Sequence, residues 1–272
     1  MTDDGRDDIP VTDIPHPNAI YVVDSHLGPD KRVEWAKHFD HVFVAQKSGV
    51  RLMAEHGIVA HWLPLACHRS GDPCLSEMLR SPERMKKYCP WPNLNKQFDH
   101  AFVGFMNRGS GEIPKGLRPF AVGDPDGHDR VAFLDAIFKA FPNGWLSFQN
   151  FFEDAAVRYI KARVGLNVSI RDDLNMRFFE GLSYGTCLLS NRDQEGWQEL
   201  GFVEDVHFLG YESHEEAIAK LQWALDNPME REEIAAAGHA FVRANHQYRH
   251  RMLDLLRICG VSAEREEVAV VA

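Results

Sequence analysis

Short apolar runs alternate with amphipathic stretches along most of this chain, and that alternation admits few architectures. Near the front, AIYVVD reads as a buried strand, KRVEWAKHF as a helix and HVFVA as a strand. SGVRLMAEHG then reads as a helix with Ser48 at its N-cap and Gly57 past its end, and IVAHWLPL as a further strand. The second half repeats the pattern more fully. Strand AFVGF precedes a glycine-rich loop, then come helix HDRVAFLDAIFKAF, strand GWLSF, helix EDAAVRYIKA, strand VGLNVSI, helix LNMRFFEGLSYG, strand TCLLS, a short helix near Trp197 and strand DVHFL. Strands separated by helices cross over and pair in parallel, so the expected class is α/β with two Rossmann-type domains, the N-terminal one reduced.

The end of the chain reads as helical. Ser213 and Glu216 form a capping box for SHEEAIAKLQWALDN, Pro228 opens MEREEIAAAGHAFVRAN, and HQYRHRMLDLLRI follows. The expected organisation is a flexible arm at 1–18, a first α/β domain at 19–66, a connecting segment at 67–99 with a short helix SPERMKKY, a Rossmann-like domain at 100–245, a closing helix at 246–260 and a tail at 261–272. The 272 residues suffice for two modest domains.

Composition narrows the partners. A formal charge of -10 disfavours general affinity for DNA or RNA, whose phosphates are met by basic faces. No apolar run reaches the roughly 18 residues of a membrane span, and the acidic start MTDDGRDDIP is unlike a secretory signal, so a cytoplasmic location is expected. Five cysteines, at 67, 74, 89, 187 and 259, form no Cys-x-x-Cys pair and are expected to be reduced thiols. A zinc site among His61, Cys67, His68, Cys74 and Cys89 would need more regular spacing, and no metal is expected.

The segment ARVGLNVSIRDDLNMRFFEGLSYGTCLLSNRD carries the most chemistry. An apolar strand ends in a loop of aspartates, arginine and asparagine that opens a helix. In open α/β sheets such strand ends bind ligands, because the following helices present N-terminal amides and the positive ends of their dipoles. Arg177 in the first turn adds a cation for a pyrophosphate, and Asp172 and Glu180, with seven residues between them, can accept hydrogen bonds from sugar and ribose hydroxyls. The same residues also suit plainer roles. Asp172 or Asp173 can cap the helix, worth about 1 kcal/mol, and Asp173, Arg177 and Glu180 can form a surface ladder worth about 0.2 to 0.5 kcal/mol per pair. Leu174, Phe178 and Leu182 mark the core face of the helix.

GLNVSIRDDLNMRFFEGLSYGTCLLS followed by EEAIAKLQWALDNPMEREEIAAAGHAFVRANHQYRHR resembles the donor-binding domain of GT-B glycosyltransferases, most closely the group-1-like branch that includes spore-maturation CgeB-like proteins. The resemblance covers roughly residues 98 to 258. It implies a hexosyltransferase-type enzyme using a nucleotide-sugar, with UDP as the nucleotide, an unidentified acceptor and no bound metal. It assigns Asp172, Asn175, Arg177 and Glu180 to the donor, with Glu180 on the ribose, and Arg108, Lys115 and Arg130 to the diphosphate. YVVDSHLGPD resembles the late part of an acceptor-side domain, which places Asp24 and His26 as catalytic candidates facing the cleft between domains. Two departures stand out: little precedes Ile20, where such a domain usually has several more units, and Gln247 replaces a more usual threonine. The short front also admits a catalytically silent nucleotide-binding or partner-binding remnant. A phage-type enzyme acting on modified DNA is the third reading.

Overall fold

The structure is a computed structural model that describes residues 11–26, 28–67, 96–104, 130–147, 153–169 and 172–261. The chain divides into two compact units, Met1–Leu65 with Tyr248–Ala272, and Ala66–Gln247.

In the first unit, β1 (Ala19–Val22), β2 (His41–Val44) and β3 (Ala60–Trp62) form a parallel sheet in that order, with Ile20 opposite Val42 and Val42 opposite Ala60. α1 (Pro29–Ala36) and α2 (Lys47–Glu55) make the crossovers. Val22, Val33, Trp35, Val44 and Met53 close one apolar core. The expected strand IVAHWLPL pairs only over Ala60–Trp62. α2 starts at Lys47 rather than after Ser48, and the Oε1 of Gln46 at its cap position accepts from the Ser25 amide and hydroxyl, each at 3.3 Å. Part of the expected flexible arm is ordered. Val11–Asp13 form a 3-10 turn with Val11 buried, and Asn18 and Asp40 exchange hydrogen bonds of 2.8 and 3.0 Å.

The second unit is a five-stranded parallel sheet of β4 (Phe98–Val103), β5 (Gly144–Ser147), β6 (Ala162–Asn167), β7 (Cys187–Asn191) and β8 (Leu209–Tyr211), in the order β5-β4-β6-β7-β8. Its helices are α3 (Arg130–Ala140), α4 (Glu153–Lys161), α5 (Met176–Ser183), α6 (His214–Asp226) and α7 (Pro228–Asn245). Side chains alternate along a strand, so this sheet must be covered on both faces. Val164, Leu166, Cys187 and Leu189 share a core with Phe133, Ile137 and Leu221 from α3 and α6. The intervening Gly165 and Leu188 instead meet Tyr159 of α4 and Gly181 of α5. A Cβ on Gly165 would run into the Tyr159 ring, so this close approach requires glycine.

Several local expectations shift. DVHFL is not a strand throughout, because Asp205 takes a left-handed φ of 58° and pairing begins at Leu209. The stretch around Trp197 forms turns instead of a helix. α8 (Tyr248–Ile258), the expected closing helix, groups with the first unit, where the buried Arg251 Nε donates to the Pro64 carbonyl at 2.9 Å. The expected helix SPERMKKY, with His68, Cys74 and Cys89, lies outside the described residues.

Candidate functional site

From β4 the sheet grows to β5 on one side and to β6 on the other, so the chain reverses direction of growth between β4 and β6. Crevices for ligands open at the carboxyl ends of strands at such a switch point. β6 ends at Asn167 and β7 at Asn191, both buried, and a polar network joins them. Asn167 Nδ2 donates to Ser190 Oγ at 2.9 Å, Gln194 Nε2 donates to Ser190 Oγ at 2.6 Å, and the Ser169 amide donates to Asn191 Oδ1 at 2.8 Å. Tyr211 completes it with a hydroxyl that donates to the Asn167 carbonyl at 3.2 Å. Sequence reasoning singled out none of these residues. The available signal was polar residues closing two apolar strands, in GLNVS and TCLLSNR.

α5 rises from this network. Asn175, not Asp172 or Asp173, caps it: Oδ1 accepts from the Phe178 amide at 3.0 Å, while Nδ2 donates to Asn167 Oδ1 at 3.2 Å. One amide therefore fixes both the start of the helix and its attachment to the end of β6. Asp172 is held through its backbone, its carbonyl accepting from the Glu195 amide at 2.9 Å. Leu174, Phe178 and Leu182 are buried as the core face, as their spacing predicts.

Arg177 and Glu180 lie one turn apart on α5, with Nε and Oε2 separated by 3.7 Å and side chains 23% and 19% exposed. The pair is thus much less solvated than a surface ladder. Burial raises the Glu180 carboxyl above its ordinary value, and the Arg177 charge opposes that shift. Arg177 Nε and Nη1 are shielded from solvent with no hydrogen-bond acceptor among the described residues, so the Glu180 charge at 3.7 Å offsets their desolvation only in part. Such donors suit a carboxylate, phosphate or hydroxyl oxygen.

Arg130, at the start of α3, reaches the same strand end, where its Nε donates to the Val168 carbonyl at 2.8 Å. Arg130, Asp172, Asn175, Arg177 and Glu180 therefore belong to the carboxyl-end region of one sheet. Arg108 and Lys115 lie outside the described residues. Asp24 and His26 belong to the first unit, just past the carboxyl end of β1. Asp24 adopts a left-handed φ of 55°, a conformation costly for a residue with a side chain and over-represented at functional sites. Among the described residues no three His, Cys, Asp or Glu side chains group as metal ligands.

Comparison with solved structures finds chains of similar fold. The chain is similar to a sucrose-phosphate synthase from Thermosynechococcus elongatus, with 14% identity over 89% of this chain and 67% of that one and a TM-score of 0.56. It is similar to Anabaena HepE in complex with UDP and glucose, with 10% identity over 89% of this chain and 77% of that one and a TM-score of 0.61. A UDP-forming α,α-trehalose-phosphate synthase from Burkholderia vietnamiensis aligns at 15% identity over 90% of this chain and 69% of that one, with a TM-score of 0.54. The chain has the GT-B fold. Residues 138–257 match the family described as Glycosyl transferase-like. A search of curated proteins finds no match. Among the described residues of this GT-B chain no helix is long and apolar enough to cross a membrane.

Proposed function

We propose that the protein is a glycosyltransferase that moves a sugar from a nucleotide-sugar, with UDP as the nucleotide, to an acceptor hydroxyl without a bound metal. The observation that carries this reading is the Asp172 to Glu180 loop and helix, set at the carboxyl end of β6 beside the switch point of a GT-B sheet. The Glycosyl transferase-like match across residues 138–257 and the UDP in the HepE complex support it. In the reaction the bond from the sugar C1 to the diphosphate oxygen breaks, a bond from C1 to the acceptor oxygen forms, and the acceptor proton is released. Charge collects on the leaving diphosphate, where preorganised donors are worth several kcal/mol. Arg130 and the amides opening α5 are assigned to that charge, Arg177 and Asp172 to the sugar-phosphate side, and Glu180 to the ribose. Asp24 and His26 are assigned to the acceptor side, and the closest affiliation is the CgeB-like branch.

Titration calorimetry with UDP and UDP-sugars tests donor recognition. Glu180→Ala should weaken binding roughly tenfold or more, the worth of a charge-assisted hydrogen bond, with the fold retained. Unchanged affinity returns Glu180 to a structural ion pair. Donor affinity should persist in EDTA, and its loss would refute the metal-free reading. Mass spectrometry of the donor then separates an enzyme, which releases or transfers the sugar, from a silent nucleotide-binding remnant.

A further inference from the structure

Away from the donor site, α6, α7 and the turn at Asp205–Val206 enclose a groove of about 730 Å³. Its walls include Leu209 and Ile234, and its mouth exposes Val206 and the Trp223 indole. Met229, which precedes the lining residue Glu230 at the start of α7, is 75% exposed. Contiguous apolar surface of this kind on a protein is ordinarily covered by something. The rim is acidic. Glu230 and Glu233, one turn apart on α7, hold no ion pair or hydrogen bond among the described residues. Lys220 also lines the groove, but its charge is already taken by Glu204 at 2.9 Å and Asp205 at 2.8 Å. The site therefore asks for an apolar ridge flanked by an unpaired cation.

α8 presents such a ridge. Tyr248, Met252 and Leu253 are exposed along one side of the helix, the last two at 54% and 46%. Residues 248, 249, 252 and 253 fall on one arc of a helix with 3.6 residues per turn. Arg249 sits within that arc, exposed and with no ion pair among the described residues. Arg257, 76% exposed, lies two turns further on and is paired with Asp254 at 3.2 Å, which leaves Arg249 as the cation of this face. The chain thus carries an acidic-rimmed apolar groove and, on α8, exposed apolar residues beside Arg249.

We propose that α8 of one copy of this chain docks in the α6–α7 groove of a second copy. Met252 and Leu253 enter between Trp223 and Ile234, while Arg249 meets Glu230 and Glu233 at the rim. The two patches differ, so the contact is heterologous, and it closes either as a pair that makes it twice or as a larger ring or chain. A groove lined by ten residues is smaller than the roughly 20 to 30 residues a side of a standard interface. One such contact is therefore weak and concentration-dependent, and salt loosens it because the paired charges sit at the rim.

Sedimentation equilibrium of the full chain across the micromolar range tests this. The mean mass should rise above that of one chain with concentration and fall back as salt is added. Glu233→Lys and Arg249→Glu should each weaken association about tenfold, while circular dichroism and the melting temperature stay as in the parent chain. Mixing the two variants should restore association, because the groove of one and the ridge of the other again carry opposite charges. The mass of a single chain at every concentration overturns the proposal. So do variants that associate like the parent, or a mixture that stays as weak as its components. A groove that takes up a basic amphipathic peptide while the chain itself remains single also overturns it, assigning the groove to another protein.

Discussion

Glu180 shows what a side chain's surroundings add to its identity. In the sequence it is one carboxylate among forty acidic residues, equally suited to a ligand and to a surface ion pair. In the fold, burial raises its pKa above the ordinary 4.5 while Arg177 at 3.7 Å works against the shift. The native state then holds the proton at a higher pH than the unfolded chain does. The contribution is fully present below pH 4.5 and is lost as pH rises through the raised value. Unfolding free energies measured from below pH 4.5 to neutrality should show that decline in the parent chain and a flatter profile in Glu180→Gln. The proposed ribose contact predicts the opposite trend for UDP-sugar affinity, which should improve as the carboxylate ionises and which calorimetry at several pH values reads directly. Asn175 teaches a related lesson. Its place before MRFFEG is visible in the sequence, but its bond to Asn167 depends on the register of β6 against the start of α5, which no local pattern encodes.

Among the elements, α7 separates propensity from packing. Gly238 lies within this 18-residue helix, where replacing glycine by alanine ordinarily gains up to about 1 kcal/mol. Here a Cβ would meet the His207 backbone carbonyl and Leu182 Cδ2. Backbone cannot step aside as a flexible side chain can, so Gly238→Ala should destabilise the chain by about 1 to 3 kcal/mol in denaturant unfolding. A neutral or stabilising result would mean that α7 does not press on the turn before β8. That turn is itself braced by Arg192, whose Nη2 reaches Glu204 at 2.6 Å and Glu216 at 2.7 Å. The expected capping box at α6 is only half realised for that reason. Ser213 accepts from the Glu216 amide at 3.1 Å, but the Glu216 carboxylate is drawn to Arg192 and to the Glu212 amide at 2.8 Å. The Arg192 hydrogen bonds hold Glu204 down at about pH 2, so this brace is complete above the ordinary carboxylate range and lost only as pH falls towards 2.

For the whole molecule, a donor that binds the native state alone should raise the melting temperature. At a hundredfold excess over its Kd, UDP adds about 2.7 kcal/mol, readable as a thermal shift that Glu180→Ala diminishes. Much of the architecture was legible beforehand because strand and helix periods are local. Runs such as HVFVA and TCLLS announce buried parallel strands, and their alternation with helices dictates crossovers. The order of motifs from GLNVS to HQYRHR likewise carried the GT-B resemblance. What the sequence left open depended on residues far apart along the chain. Strand order put β6 beside β4 and so set the switch point; neighbouring strand ends assembled Asn167, Ser190 and Gln194; and Arg251 tied α8 to Pro64. Local periodicity is set by backbone geometry within a few residues. Strand order, a buried polar network and the pressure on Gly238 arise only when distant segments compete for the same space and the same hydrogen bonds, and tertiary structure alone decides them.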